Sequence, residues 1–146
     1  MYYFAYGGNT NPYFISSQYP NIKFISKGKL KGYRLVFRET SLNLTPEDSY
    51  CDIEKDPKMI TYGVIYEVEE EDMKKFDVQE IIYKRVEVEV VDEFSNKLKC
   101  ITYIMLEEFN DYKLPTARYY KVVLTGYKHY KLPVMQFLRA LELCHK

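Results

Sequence analysis

The carboxylate of Glu80 and the loop Tyr6-Gly7-Gly8-Asn9 are the parts of this 146-residue sequence whose residue types could do chemistry together. Glu80 lies in the run Phe76-Asp77-Val78-Gln79-Glu80-Ile81-Ile82-Tyr83, where Val78, Ile81 and Ile82 offer an apolar setting. A carboxylate drawn out of water holds its proton more tightly, and a raised pKa suits a general base. A solvated glutamate at a helix end is the plainer account of the same spacing. In the loop, Gly7 and Gly8 take side chains off the backbone, so successive N–H groups can converge on a carboxylate or a carbonyl oxygen. Gly-Gly-Asn after a strand is also an ordinary turn. Tyr83 and Arg85, just after Glu80, can hydrogen-bond a substrate or simply decorate a strand.

Other chemistries find less to work with. Cys51, Cys100 and Cys144 are widely spaced and form no C-x-x-C pair, which reads as reduced thiols of a cytoplasmic protein. His129 and His145 are the only histidines and have no close ligand partner, so no metal site is expected. Cys144-His145 falls at the end of the sequence, a poor place for a nucleophile and its base. Lys plus Arg and Asp plus Glu number 21 each, so no overall field draws the chain to nucleic acid or anionic lipid. Sixteen tyrosines could stack on bases, but the basic residues are dispersed among acids rather than lining a groove. They read as core and pocket walls. No stretch has the apolar length of a membrane span, and Met1 to Tyr6 lacks the form of a secretory leader. Oligomeric state is not legible from composition or spacing.

The elements that must position these groups follow from hydrophobic pattern and turn chemistry. Tyr2 to Tyr6 is a short strand stopped by the glycines, and Asn11-Pro12 opens a short helix that ends by Tyr19-Pro20. Ile22 to Ile25 and Leu30 to Phe37 read as two strands broken at Lys27-Gly28-Lys29. Arg38 to Pro57, polar and containing two prolines, reads mainly as a loop able to wall a pocket. Ile60 to Val68 resumes the strand pattern, and Glu69 to Asp72 places acids at the start of a short helix. Val86, Val88 and Val90 alternate with Glu87 and Glu89, and Leu98 to Leu106 follows across a polar turn, giving a hairpin. Leu114-Pro115-Thr116 precedes a helix that runs through Tyr119, Val122, Val123 and Leu124 to a cap near Gly126. After Pro133, apolar residues at three- and four-residue spacing form the clearest helix. The length and the absence of repeats or linkers predict a single domain, 1–146, of α+β class with one shared core.

Several segments, in order, resemble the gamma-glutamylcyclotransferase-like family. Tyr3-Phe4-Ala5-Tyr6-Gly7-Gly8-Asn9 is similar to the family's Tyr-Gly-Ser-Asn loop, and Gly32-Tyr33-Arg34-Leu35-Val36-Phe37 to its next strand. Tyr62-Gly63-Val64-Ile65-Tyr66 resembles its Val-x-Gly-Val-x-Tyr strand, and Phe76-Asp77-Val78-Gln79-Glu80 its Leu-Asp-x-x-Glu segment. Tyr83 to Val88 continues the likeness, and Pro115-Thr116-Ala117-Arg118-Tyr119 is similar to the late Pro-Ser-x-x-Tyr region. The resemblance implies a small barrel-like mixed sheet with peripheral helices. It implies an activity that needs neither metal nor cofactor, cyclising a gamma-glutamyl group to 5-oxoproline with release of an amine or amino acid. On it, Glu80 is the catalytic base, and Tyr6, Gly7, Gly8, Asn9, Tyr83 and Tyr119 bind the small-molecule gamma-glutamyl substrate. The chain departs from the pattern at Gly8, where the family has serine, at Thr10, commonly apolar, and at Ile81, often glycine. These departures keep open an alternative, a noncatalytic small-molecule-binding domain of the same fold.

Overall fold

The structure, a computed structural model, describes residues 1–40, 49–79, 82–106 and 111–145. Among them, five strands close into a barrel in the order β1-β3-β2-β4-β5, accompanied by four α-helices, an α+β fold as expected. The strands are β1 (Tyr2–Ala5), β2 (Lys23–Glu39), β3 (Ser49–Glu67), β4 (Tyr83–Asp92) and β5 (Lys97–Met105). The helices are α1 (Pro12–Ser16), α2 (Glu70–Gln79), α3 (Ala117–His129) and α4 (Val134–Leu143).

The short first strand closes the barrel. It pairs antiparallel with β3, Tyr2 to Ala5 against Glu67 to Val64, and parallel with β5 at Tyr3 and Ile101. Tyr3, Phe4 and Ala5 are all buried, so this stave has no wet face and reads as a continuous apolar run rather than an alternation. The β4–β5 hairpin does alternate along β4, where Glu87 and Glu89 are exposed between half-buried Val86 and Val88 and buried Val90. Phe4, Phe37, Ile53, Ile65, Phe76, Tyr127 and Phe137 are among the largest side chains of the core, joining barrel and helices.

Three expectations are corrected. The two strands read from Ile22 to Phe37 are one continuous strand, β2. Gly28 pairs with Gly63 on one side and Asp92 on the other. A methyl group there would lie 2.6 Å from Val90 Cγ1, so this glycine marks the close approach of β4 rather than a break. The register with β3 shifts on either side of it, between Phe24 and Ser26 and again at Gly32, whose φ of +86° is left-handed.

The segment Arg38 to Pro57, read mainly as a loop, is largely strand: β2 runs on to Glu39 and β3 begins at Ser49, while 41–48 lie outside the described residues. Pro57 is tolerated because the ladder passes from Lys31 with Ile60 to Tyr33 with Lys55, leaving it without a paired position. Gly126, read as a helix cap, lies inside α3. A methyl there would come within 2.2 Å of Thr10 Oγ1 and 2.6 Å of the Asn11 nitrogen, so glycine is needed for packing against the first loop. Lys131, at φ +56°, ends the helix instead, with the Leu132 N–H returning to the Tyr127 carbonyl at 2.8 Å.

Candidate functional site

Tyr6, at the end of β1, is held at both ends. Its hydroxyl donates to the Tyr103 carbonyl at 2.5 Å, and its own carbonyl accepts from the Tyr127 hydroxyl at 2.6 Å. Gln136 of α4 donates in turn to the Tyr127 hydroxyl at 2.8 Å, so two helices and β5 fix the residue from which the loop departs. Burial, with Asp52 next in weight, holds the Tyr6 phenol well above its ordinary pKa, and it stays protonated.

Gly8–Thr10 then forms a single 3₁₀ turn. The Thr10 N–H and hydroxyl both donate to the Gly7 carbonyl, at 3.0 and 2.7 Å, and the Asn11 N–H donates to the Gly8 carbonyl. Fully buried Thr10 therefore does a polar job that an apolar residue could not. A turn this short offers no internal acceptor to its own first amides, those of Gly8 and Asn9. Asn9 is pinned by its side-chain amide donating to the Tyr3 hydroxyl at 3.0 Å and by its carbonyl accepting from the Tyr66 hydroxyl at 2.8 Å. Asn11 caps α1 by accepting from the N–H groups of Tyr13 and Phe14.

Gly7 and Gly8 differ in what surrounds them. A methyl on Gly7 would lie 2.8 Å from Cys51 Cβ, whereas on Gly8 its nearest neighbour would be Tyr119 Cε1 at 3.4 Å. Only the first glycine is demanded by packing. The second has room for a Cβ, the first side-chain atom of the family's serine.

Cys51 is the hub that sequence reasoning missed. β1 pairs with β3 only from Val64 to Glu67, so near Cys51 that edge of β3 has no β1 partner. Two phenols take up the Cys51 peptide instead. Its N–H donates to the Tyr119 hydroxyl at 3.1 Å, and its carbonyl accepts from the Tyr83 hydroxyl at 2.6 Å. Tyr119 is presented by the first turn of α3, whose Thr116 cap accepts from the Tyr119 N–H. Burial pushes the Cys51 thiol up to about 12, against a lowering contribution from Tyr119, so it is a packed thiol and not a nucleophile.

These groups surround a cavity of about 110 Å³. Tyr6, Gly7, Gly8, Asn9, Tyr83 and Tyr119, the six binding residues named from sequence, all line it. So do Tyr3, Tyr50, Cys51, Tyr103 and half-exposed Phe14, which were not named. Tyr3 and Tyr103 are visible in retrospect as apolar-face residues of their strands. Cys51 carries no signal, because the polar, proline-containing sequence around it has the pattern of a loop.

Glu80 and Ile81 lie outside the described residues. On one side of them, α2 is seated by Phe76 against Tyr19 and Tyr3, with ring centroids 4.3 and 4.8 Å apart. The Tyr103 hydroxyl donates to Asp77 Oδ1 at 2.7 Å. Arg85 donates to both Asp77 oxygens and is the main cause that holds this carboxyl below its ordinary pKa. On the other side, Tyr83 reaches Cys51. Both flanks of Glu80 are thus bonded to walls of the same cavity. Of the apolar residues expected to surround it, Ile82 is buried but Val78 is 78% exposed, so Val78 supplies no dry setting. Arg85 is committed to Asp77 and does not line the cavity. No group of three or more His, Cys, Asp or Glu among the described residues could hold a metal ion. No helix among them is long and apolar enough to cross a membrane.

A closed five-stranded barrel with helices around it is the fold that this chain shares with gamma-glutamylcyclotransferase and AIG2-like structures. The chain belongs to the AIG2-like family, whose sequence profile matches residues 61–139. Among solved structures, a gamma-glutamyl cyclotransferase is similar with a TM-score of 0.79 and 22% identity, over 97% of this chain and 86% of that one. An uncharacterised human protein reaches a TM-score of 0.82 at 23% identity, over 97% and 85% of the two chains. YkqA from Bacillus subtilis gives 0.77 at 21% identity, over all of this chain and 54% of its own. At such identities the likeness is one of fold. No curated protein matches the sequence significantly.

Proposed function

We propose that this protein is an enzyme of the gamma-glutamylcyclotransferase type, converting a gamma-glutamyl amide to 5-oxoproline and a free amine or amino acid. The observation that carries the reading is the convergence of the glycine loop with Tyr6, Tyr83 and Tyr119 on one cavity. The flanks of Glu80 are bonded to the same walls, and a protein of this fold bears the name gamma-glutamyl cyclotransferase. At about 110 Å³ the cavity is small beside the roughly 300 Å³ and upward of drug-sized sites, so it takes the glutamyl head and leaves the departing group outside.

In this reading the amides of Gly8 and Asn9 hold an oxygen of the glutamyl group, and the tyrosines wall it into a folded conformer. Glu80 takes a proton from the α-ammonium, freeing its lone pair. The nitrogen attacks the side-chain carbonyl carbon of the same molecule, and the carbonyl oxygen becomes an oxyanion that backbone donors stabilise. As the tetrahedral centre collapses, the bond to the departing nitrogen breaks. Glu80 gives the proton it holds to that departing nitrogen, then takes the second proton shed by the ring nitrogen and passes it to the released amine, which leaves as an ammonium. No water is consumed, and protons and charge balance without metal or organic cofactor. The free thiols Cys51, Cys100 and Cys144 suit a reducing compartment, and we place the protein in the cytoplasm as part of the same proposal.

The test is release of 5-oxoproline from a panel of gamma-glutamyl amino acids, peptides and amines. Glu80→Gln is expected to lower turnover by roughly a hundredfold or more while leaving the circular-dichroism spectrum unchanged. Turnover that survives this substitution removes Glu80 from the mechanism. Saturable binding without turnover across the panel makes the chain a noncatalytic binding domain instead.

A further inference from the structure

Asp52 lies next to the Cys51 hub; its carboxylate does not line the cavity, but its charge acts on the Tyr6 phenol that does. The carboxylate is only 4% exposed, a setting that costs free energy unless each oxygen is paired. Its Oδ1 accepts from the Met105 N–H at 2.9 Å, and its Oδ2 accepts from Arg38 Nε at 3.0 Å. The first bond joins β3 to the end of β5, two residues beyond Tyr103, whose ring lines the cavity and whose carbonyl receives the Tyr6 hydroxyl. β3 and β5 are not neighbours in the barrel order. Asp52 therefore bridges strands that no ladder joins, beneath the cavity they share.

The bridge is braced from behind. Arg38 also bonds Glu54, and Glu54 accepts from Arg34 Nε at 2.6 Å and from the Tyr112 hydroxyl at 2.8 Å. The Arg38 guanidinium lies 5.1 Å from the Tyr112 ring centroid. A side chain tied on several sides has little freedom, and the peptide beside it inherits that restriction.

We propose that Asp52 is a positioning residue for the cavity: by clasping the end of β5 to β3 it fixes the Cys51 peptide on which the Tyr83 and Tyr119 hydroxyls close. Asp52 touches no substrate. It sets the gap between the Cys51 and Tyr103 walls, and with it the placement of both phenol rings. The kinetic arm of the test rests on the proposed cyclisation, and the spectroscopic arm does not.

The spectroscopic arm uses the full chain carrying ¹³Cζ-labelled tyrosine, with resonances assigned through Tyr83→Phe and Tyr119→Phe. Asp52→Asn and Asp52→Ala are expected to move the Tyr83 and Tyr119 signals and leave that of Tyr62, at the other end of β3, in place. Arg38→Gln, which loosens the same carboxylate without altering it, should move the same pair by less. If the two signals stay fixed in the folded variants, or if Tyr62 moves as far, the proposal is overturned. In the kinetic arm, Asp52→Asn should lower kcat/KM about tenfold in the natural background but less than about twofold in Tyr83→Phe, because both act through one peptide. Equal losses in the two backgrounds reduce Asp52 to general stability and also overturn it. Should no gamma-glutamyl compound be turned over, the cyclisation reading fails and the resonances alone decide the role of Asp52.

Discussion

Gly7 and Gly8, adjacent and alike in sequence, separate once their neighbours are known. Gly7→Ala pushes a methyl to 2.8 Å from Cys51 Cβ, a strand residue that cannot swing away. We expect it to cost about 1–3 kcal/mol, read as a lower urea midpoint, since overpacking a tight contact is destabilising. Gly8→Ser should stay within about 0.5 kcal/mol of the natural chain, because its nearest contact is ordinary at 3.4 Å. A large loss at Gly8, or none at Gly7, contradicts the geometry. Thiol chemistry gives a second residue-scale prediction. Cys51, buried with its pKa pushed up to about 12, should resist iodoacetamide in the native protein, whereas half-buried Cys144 is alkylated first, as peptide mass mapping would reveal. The loop and the tyrosines were legible in the sequence because glycine pairs and aromatics carry their physics with them. Cys51 was not, since nothing local tells a packed thiol in a strand from one in a loop. Val78 misled for the reverse reason: an apolar residue beside Glu80 in sequence lies on the wet side of α2.

Among the elements, those with strict periodicity were read well and those interrupted by glycine or proline were not. The alternation of β4 and the three- and four-residue spacing of α4 each report one buried face, so their existence follows from sequence. Gly28, Pro57 and Gly126 punctuate the sequence without ending an element. Each sits where a distant neighbour approaches or where the ladder skips a residue, information that only long-range pairing supplies. Gly126→Ala tests this directly. With the added methyl 2.2 Å from Thr10 Oγ1 and against the backbone of Asn11, neither of which has room to retreat, α3 must lift from the first loop. We expect a loss of about 3 kcal/mol or more, although alanine is the better helix former, measured by chemical denaturation. An unchanged or raised stability would mean that Gly126 is there to end the helix after all. Gln136→Leu probes the docking of α4. Its side chain accepts from the Tyr62 N–H at 2.6 Å and donates to the Tyr62 carbonyl at 2.9 Å, acting as a substitute strand partner. Leaving those groups unpaired should cost about 1–3 kcal/mol.

At the scale of the whole molecule, Asp77 and Asp52 pull the acid response in opposite directions. Asp77 has a lowered folded pKa, owed first to Arg85, so its contribution is present above the ordinary aspartate value and lost as pH falls through the folded one. Asp52 has a raised folded pKa, owed first to burial, so its contribution is full below the ordinary value and fades as pH rises through the folded one. Unfolding free energies measured between about pH 2 and pH 6 should therefore show a shallower acid loss in Asp77→Asn than in the natural chain. A steeper loss in that variant reverses the sign and refutes the assignment. The fold class and the membership of loop and tyrosines in one region were readable from the order of short motifs along the chain. The barrel-like sheet came from the family resemblance and not from periodicity, because β1 finds β5 through contacts such as Thr102 Oγ1 to the Phe4 carbonyl at 2.8 Å, 98 residues apart. That distance along the chain bears on how the protein is made. Ordering so long a stretch before any contact rewards it is slow, and the stave that completes the cylinder also carries the glycine turn. Binding competence should accordingly emerge only with the last, slowest refolding phase, and an intermediate rich in hairpin structure would still be blind to ligand.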